Sequence, residues 1–343
     1  MGLPYTEQDI EALVMKMLAR PTVGYDVISC NEYIGKKGKF PDGTGRASTM
    51  QCVLPEIMEQ SMVRINPGID KAVISEIVVD LSQDFADYNT VSANSVFGEI
   101  IRCGIKLPTQ NGNGTAEIVK LVDFDNPDNN SFVAVSQMRV RFNKQTRRPD
   151  IVVFVNGMPF VLVELKRCNQ SVLKAYEKNL KAYVHDIPNL FVLNQFCVLS
   201  NVLETRVGSF NSPYEKFCEW LLTGNGKPKP SLQEIEVILE RLLQGLFQKK
   251  RLLDYISNLA NLKPYQADIG SESEEVASLD TIATHSVAAE EELPGDYSSE
   301  EVVFIMEEAE LNEDIADAAP SSPIPHLGLI FKDPTDIVLL WQE

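Results

Sequence analysis

The 343-residue sequence contains no pair of cysteines at CxxC spacing. Its six cysteines, Cys30, Cys52, Cys103, Cys168, Cys197 and Cys218, are scattered, which excludes a zinc ribbon and argues against a disulfide scaffold. Reduced thiols in the cytoplasm are the expectation. The three histidines, His185, His285 and His326, show neither HxxxH nor HExxH spacing, so no zinc site is expected. No apolar run approaches the ~18 residues needed to span a membrane. The start, MGLPYTEQDIEALV, lacks a basic stretch followed by a long apolar core, so no signal peptide is read. There is no nucleophile elbow for a serine triad, no internal repeat, and no G-x-x-x-x-G-K-[ST] phosphate loop, so ATP is not expected to bind by that route. Basic residues are nearly missing from the last quarter. Pro264–Glu343 holds Lys332 alone against 20 acidic residues. Met1–Lys263 holds 30 basic and 29 acidic residues, so the net charge of −18 belongs to the tail and says nothing against phosphate contacts elsewhere.

What is present suggests about two units. Residues 1–262 carry the periodic segments. Thr6 can cap a first helix with Ile10, Leu13, Val14 and Met17 on one face. Further helices are expected over LPEIMEQSMVRI, over about 69–83, and over SVFGEIIRCGI, with a Gly- and Lys-rich loop at 36–49. AEIVKLVDF alternates as a strand does, and so does the second half of SFVAVSQMRVRF, with Gln137, Arg139 and Arg141 on one face. RRPDIVVFVNG and MPFVLVELK are near-continuous β-branched runs joined by Asn156-Gly157, a strong hairpin signal. A Lys-rich helix follows over about Gln170–Tyr183, then a buried strand in FVLNQFCVLSN. Trp220 and the stretch SLQEIEVILERLLQGLFQKKRLLDYISNL read as the last strong helices. Residues 263–343 are acidic and short of periodicity, with one helix plausible over Ser298–Leu311 and an apolar run, IVLLW, near the end.

The chemistry gathers at the hairpin. Asp150 stands near the start of its first strand and Glu164 near the end of its second, so both carboxylates can reach one edge of the sheet. Side chains alternate along a strand, so Lys166 projects on the same face as Glu164. Two carboxylates, with the Leu165 carbonyl beside them, make a hard oxygen site suited to Mg²⁺. A divalent ion there would neutralise a scissile phosphate and acidify a water, with Lys166 supporting the developing charge. Arg139, Arg141, Lys144, Arg147 and Arg148 precede the site and Arg167, Lys174, Lys178 and Lys181 follow it, where a DNA backbone would lie. Cys168 has no indicated His partner and is read as an ordinary thiol.

RRPDIVVFVNGMPFVLVELK closely resembles the N-terminal nuclease region of type I restriction endonuclease R subunits. The likeness continues through LPEIMEQSMVRINPGI, SVFGEIIRCGIKL, LVDFDNPDNNSFVAVSQMRV, YVHDIPNLFVLNQFCVLSN, TRVGS and LLQGLFQKKRLLDYI, from about Thr6 to Leu262. It implies an α/β, PD-(D/E)xK restriction-endonuclease-like fold, a mixed sheet flanked by helices with added N- and C-terminal helices. It implies Asp150 and Glu164 as Mg²⁺ ligands, for one ion or two, and Lys166 as the catalytic lysine. The family's Gln-x-x-x-Tyr motif corresponds here to Asn179 and Tyr183, Asn being one methylene shorter. An acidic residue from an upstream helix is often added in this fold, and Glu7, Glu11, Glu56 and Glu99 are the candidates. Arg147, Arg148, Arg167, Lys174 and Lys178 are the expected DNA contacts.

The resemblance implies a Mg²⁺-dependent DNA endonuclease module of a type I restriction-modification system. Its expected partners are double-stranded DNA, the methyltransferase and specificity subunits, and a motor on a separate chain. The likeness stops near Asn261, about where a motor would begin. The rival reading is a non-catalytic protein that docks on DNA or on the complex and is regulated by its acidic tail.

Overall fold

The computed structural model describes residues 5–30, 42–83, 89–107, 117–222 and 230–258. The acidic segment 263–343, with the helix expected over Ser298–Leu311 and the IVLLW run, lies outside them, as does the start, 36–41, of the Gly- and Lys-rich loop. No helix among the described residues is long and apolar enough to cross a membrane.

The first half is mainly helical. Helix α1 spans Glu7–Leu18, and Thr6 caps it reciprocally with Asp9, satisfying amide groups that the first turn leaves open. A short strand, β1 (Asp26–Ser29), follows. Then come α2 (Pro55–Ile65), α3 (Lys71–Leu81) and α4 (Thr90–Cys103). Pro55 suits the first turn of α2, where its missing N–H costs nothing. Asp70 and Asn89 cap the next two helices.

The second half supplies most of the sheet. Its strands are β4 (Phe132–Ser136), β7 (Ile151–Val155), β8 (Met158–Leu165), β9 (Phe196–Ser200), β10 (Glu204–Gly208) and β11 (Cys218–Leu222). With β1 they form one seven-stranded mixed sheet in the order β1-β4-β7-β8-β9-β10-β11. β1 runs parallel to β4 and β8 parallel to β9, and the remaining neighbours are antiparallel. Two small ribbons stand apart from it: β2 (Ile105–Lys106) with β3 (Ile118–Val119), and β5 (Val140–Phe142) with β6 (Gln145–Arg147). Helix α5 (Lys181–Asp186) follows a π-helical turn at Ala175–Leu180. The described part closes with α6 (Leu232–Leu242), a second π-helical turn (Leu243–Phe247) and α7 (Lys249–Ser257).

The near-continuous apolar strands are explained by cover on both faces. Ile151, Val153 and Val155 pack with residues of α1 to α4, α6 and α7, including Ile10, Met58, Ile77, Phe97 and Leu239. Val152, Phe154, Leu162 and Leu199 pack on the other face with Leu180, Tyr183 and Phe191.

Four expectations change at this level. The alternating run after Phe132 is two strands, because the backbone turns left-handed at Gln137 (φ 55°) and leaves the sheet. AEIVKLVDF contributes only the two residues of β3. Trp220 belongs to the strand β11, where it is buried against the edge of Tyr255. The Lys-rich helix begins later than Gln170 and reaches Asp186, and its first turn is π rather than α.

Candidate active site

Sheet register brings the hairpin chemistry together. Ser136 at the end of β4 pairs with Ile151 at the start of β7, and Ile151 pairs with Val163 near the end of β8. Leu165 in turn pairs with Ser200 at the end of β9. Four strand ends therefore meet at one edge of the sheet. Asp150 lies one residue before β7, Glu164 lies in the last turn of the pleat of β8, and Lys166 follows directly. The Leu165 N–H donates to Asp150 Oδ2 at 2.8 Å, which fixes one carboxylate on the strand that carries the other.

Lys166 Nζ donates to Glu164 Oε1 at 2.8 Å and to the Leu165 carbonyl at 2.9 Å. The alternation of side chains along β8 makes this contact, since residues two apart share a face. Tyr183 OH donates to Glu164 Oε2 at 3.0 Å, and Asn179 Nδ2 reaches that hydroxyl at 3.3 Å. Asn179 thus meets the carboxylates only through Tyr183. The π-helical turn inserts an extra residue into the helical repeat upstream of Tyr183 and so sets which way the ring faces, a use of π turns that recurs at functional sites.

Of the four upstream acids, two approach. Glu7 and Glu11 are one helical turn apart on α1, which packs on β4 and β8. Glu7 Oε2 lies 4.0 Å from Lys166 Nζ. Glu11 is 7% exposed and accepts a hydrogen bond from Gln137 Nε2, and the same Gln137 nitrogen donates to Asp150 Oδ1 at 3.2 Å. Glu99 instead pairs with Arg102 at 2.7 Å, and Glu56 is exposed on α2 beside Gly45. Gln137 was not among the residues expected here. Its only sequence signal is a polar pair, Ser136-Gln137, interrupting an apolar strand, and nothing in that pair announces a left-handed backbone.

Charge is crowded at this edge. Burial pushes the Glu164 carboxyl up to about 8, and the neighbouring Asp150 charge adds to the rise against the opposing pull of Lys166 and Tyr183. Burial also raises Asp150, although the Leu165 amide and Lys166 oppose it. Glu11 is raised to about 7, chiefly by burial, with the Gln137 hydrogen bond opposing and Asp150 adding. Burial alone would lower Lys166, but the Glu164, Asp150 and Glu7 carboxylates together outweigh it and keep the ammonium charged. Tyr183 is raised by burial and by Glu164, so its hydroxyl stays a donor. These directions describe one imbalance. A single buried ammonium faces several carboxylates, and the ones left over resist ionising.

A cation would correct that imbalance. No group of three or more His, Cys, Asp or Glu side chains among the described residues forms a ready metal cage. The available donors are of another kind: Asp150 and Glu164 oxygens with the Leu165 carbonyl next to them. Mg²⁺ commonly takes one or two carboxylates and leaves its other positions to water and phosphate, so these residues fit it.

The expected basic contacts divide. Arg148, Arg167, Lys174 and Lys178 are exposed, and none forms an ion pair with a described residue. Arg147 is different. Its guanidinium pairs with Asp186, which His185 also contacts at 2.7 Å, tying the β5–β6 ribbon to the end of α5. Lys181 lies over the Tyr176 ring.

Comparison with known proteins gives a consistent result. The family model described as the type I restriction enzyme R protein N terminus matches residues 4–216. The type I restriction enzyme HindI endonuclease subunit of Haemophilus influenzae is 33% identical over 256 residues, covering 73% of this chain and 23% of that protein. A putative type I restriction enzyme MjaIXP endonuclease subunit of Methanocaldococcus jannaschii is 29% identical over 244 residues, covering 64% of this chain and 23% of the relative. The chain thus matches under a quarter of the length of these relatives.

Proposed function

The chain belongs to the family of type I restriction enzyme R protein N termini, and from that premise we propose that it is a Mg²⁺-dependent module that cleaves DNA phosphodiester bonds in a restriction system. The observation that carries this reading is the meeting of Asp150, Glu164 and Lys166 at one sheet edge, with more buried carboxylate than ammonium. The seven-stranded mixed sheet with helices on both faces suits a PD-(D/E)xK restriction-endonuclease-like fold.

In this reading Asp150 and Glu164 hold the ion, and the Leu165 carbonyl is a further oxygen for it. When bound, Mg²⁺ supplies charge neutralisation at the scissile phosphate and lowers the pKa of a nearby water. The Leu165 N–H and Tyr183 hydroxyl keep the two carboxylates oriented. With Glu164 engaged as a ligand, the Lys166 ammonium would face the phosphate and stabilise charge that develops during in-line attack. Glu11 is the upstream acid best placed to join the site. Arg148, Arg167, Lys174 and Lys178 contact the DNA backbone, while Arg147 is mostly engaged with Asp186. The partners are double-stranded DNA and the methyltransferase and specificity subunits.

Plasmid nicking with purified protein in Mg²⁺ or Mn²⁺ tests the proposal. Metal-dependent cutting that disappears in Lys166→Ala and Asp150→Asn is the expected result. Cutting that persists in both variants would place the chemistry elsewhere. A parent chain that binds DNA but never cuts, alone or with the other subunits, would favour the non-catalytic reading.

A further inference from the structure

We propose that Gln137 is a positioning residue for the divalent ion, its side-chain amide tying the metal-binding carboxylate Asp150 to Glu11 on α1. This rests on the reading of the site as a metal-dependent nuclease. Three observations carry it.

The first is connectivity. Gln137 Nε2 donates to Glu11 Oε2 on α1 and to Asp150 Oδ1 before β7. Its backbone N–H donates to the Asp150 carbonyl at 2.8 Å, so Asp150 is gripped at both its side chain and its main chain. No other hydrogen bond among the described residues joins α1 to the hairpin carboxylates through one side chain.

The second is the backbone. Gln137 is buried at 9% exposure and sits at φ 55°, a region a residue with a side chain rarely occupies. Such a conformation persists only where its surroundings hold it, and such positions gather at functional sites. Here the left-handed turn ends β4 and lets the amide reach sideways between two elements, which an extended residue in the pleat could not do.

The third is the choice of group. Two carboxylates that approach one another repel, and something must donate to both. An arginine or lysine would do so but would cancel the charge that attracts a cation. A neutral amide holds the oxygens and leaves the charge for the ion. Residues behind metal ligands typically change affinity or activity by 10–100-fold when removed.

The test uses the full chain without DNA. Mn²⁺ binding is followed by the electron paramagnetic resonance signal of the free ion, and melting temperature is recorded in EDTA. Gln137→Met keeps the volume and loses the donor. Gln137→Asn keeps an amide and tolerates a left-handed backbone, but is one methylene too short to span both carboxylates. Both variants are expected to melt near the parent in EDTA and to bind Mn²⁺ about 10–100-fold more weakly. If Gln137→Met does not fold, Gln137→Asn decides alone. Parent-like Mn²⁺ affinity in the folded variants overturns the proposal, whether or not the melting temperature falls. Asp150→Asn separates the two readings. If it too binds Mn²⁺ as the parent does, the metal site itself is refuted. If it loses binding while the Gln137 variants keep it, only the clamp is refuted.

Discussion

Asn156 offers the most demanding test of how the hairpin is held. It is fully buried at the turn between β7 and β8, with φ 49°. Its Nδ2 donates to the Leu121 carbonyl at 2.9 Å and to Asn130 Oδ1 at 2.8 Å, and its Oδ1 accepts from the Ser131 N–H at 2.8 Å. One side chain thus nails the 121–131 segment onto the turn. Asn130 Oδ1 keeps a second partner, the Asp123 N–H at 2.9 Å, so its loss is partial. In an Asn156→Ala variant the Leu121 carbonyl and the Ser131 N–H would lose the side chain that satisfies them. Each such orphaned group costs about 1–3 kcal/mol, and a left-handed alanine adds roughly 1–2 kcal/mol. Asn156→Ala should therefore lose about 3–8 kcal/mol of unfolding free energy, a large share of a typical domain's stability. Asn156→Gly accepts the left-handed backbone, so it should lose roughly 1 kcal/mol less than Asn156→Ala. Urea unfolding followed by circular dichroism gives both values. A loss below about 1 kcal/mol in Asn156→Ala would refute the clamp, and equal losses in the two variants would refute the backbone contribution.

Three further outcomes follow from the site. Tyr183→Phe removes the donor to Glu164 Oε2 and should weaken Mn²⁺ binding by about 10-fold or more, whereas Asn179→Ala, which touches only the Tyr183 hydroxyl, should have a smaller effect in the same titration; the reverse order would sink the relay. In EDTA, the folded carboxyls of Glu11 (about 7) and Glu164 (about 8) lie above their ordinary 4.5, so the unfolded chain gives up these protons first. Stability should be fully present below pH 4.5 for these two groups and fall as pH rises toward 8, with Mg²⁺ reducing the fall. Melting temperatures across that range check the sign, and a steady rise in EDTA would contradict it. For DNA binding in EDTA, removing Arg148, Arg167, Lys174 or Lys178 should lower the salt slope by about 0.9 per phosphate contact, and Arg147→Ala by less, because Asp186 already engages that guanidinium. An Arg147 effect equal to the others would mean that the ion pair opens on DNA.

How much of this was legible in the sequence differs from residue to residue. The hairpin was legible because two β-branched runs flank Asn156-Gly157, and both residues do take positive φ there. The pairing of Glu164 with Lys166 followed from strand alternation, and the reach of Asp150 followed from the length of the two strands. The first helix followed from its Thr6 cap and its apolar spacing. All of these are local rules, in which a residue's neighbours in the chain decide its conformation.

The rest required the tertiary structure. Strand periodicity continues smoothly through Gln137, but the chain turns there because Glu11 and Asp150, 126 and 13 residues away, meet its amide. Helical spacing offered Glu7, Glu11, Glu56 and Glu99 on equal terms. Only the packing of α1 on β4 and β8 brings the first two to the carboxylates and leaves Glu99 with Arg102. Arg147 and Arg148 are adjacent and alike in sequence, yet one pairs with Asp186 while the other forms no ion pair with a described acid. Asn156 signalled a turn but not that the turn is buried. In each case a side chain's role depends on what a distant element brings within about 3 Å. Hydrogen bonds and charges at that range carry no trace in sequence spacing, whereas backbone alternation and capping act between near neighbours and are written there directly.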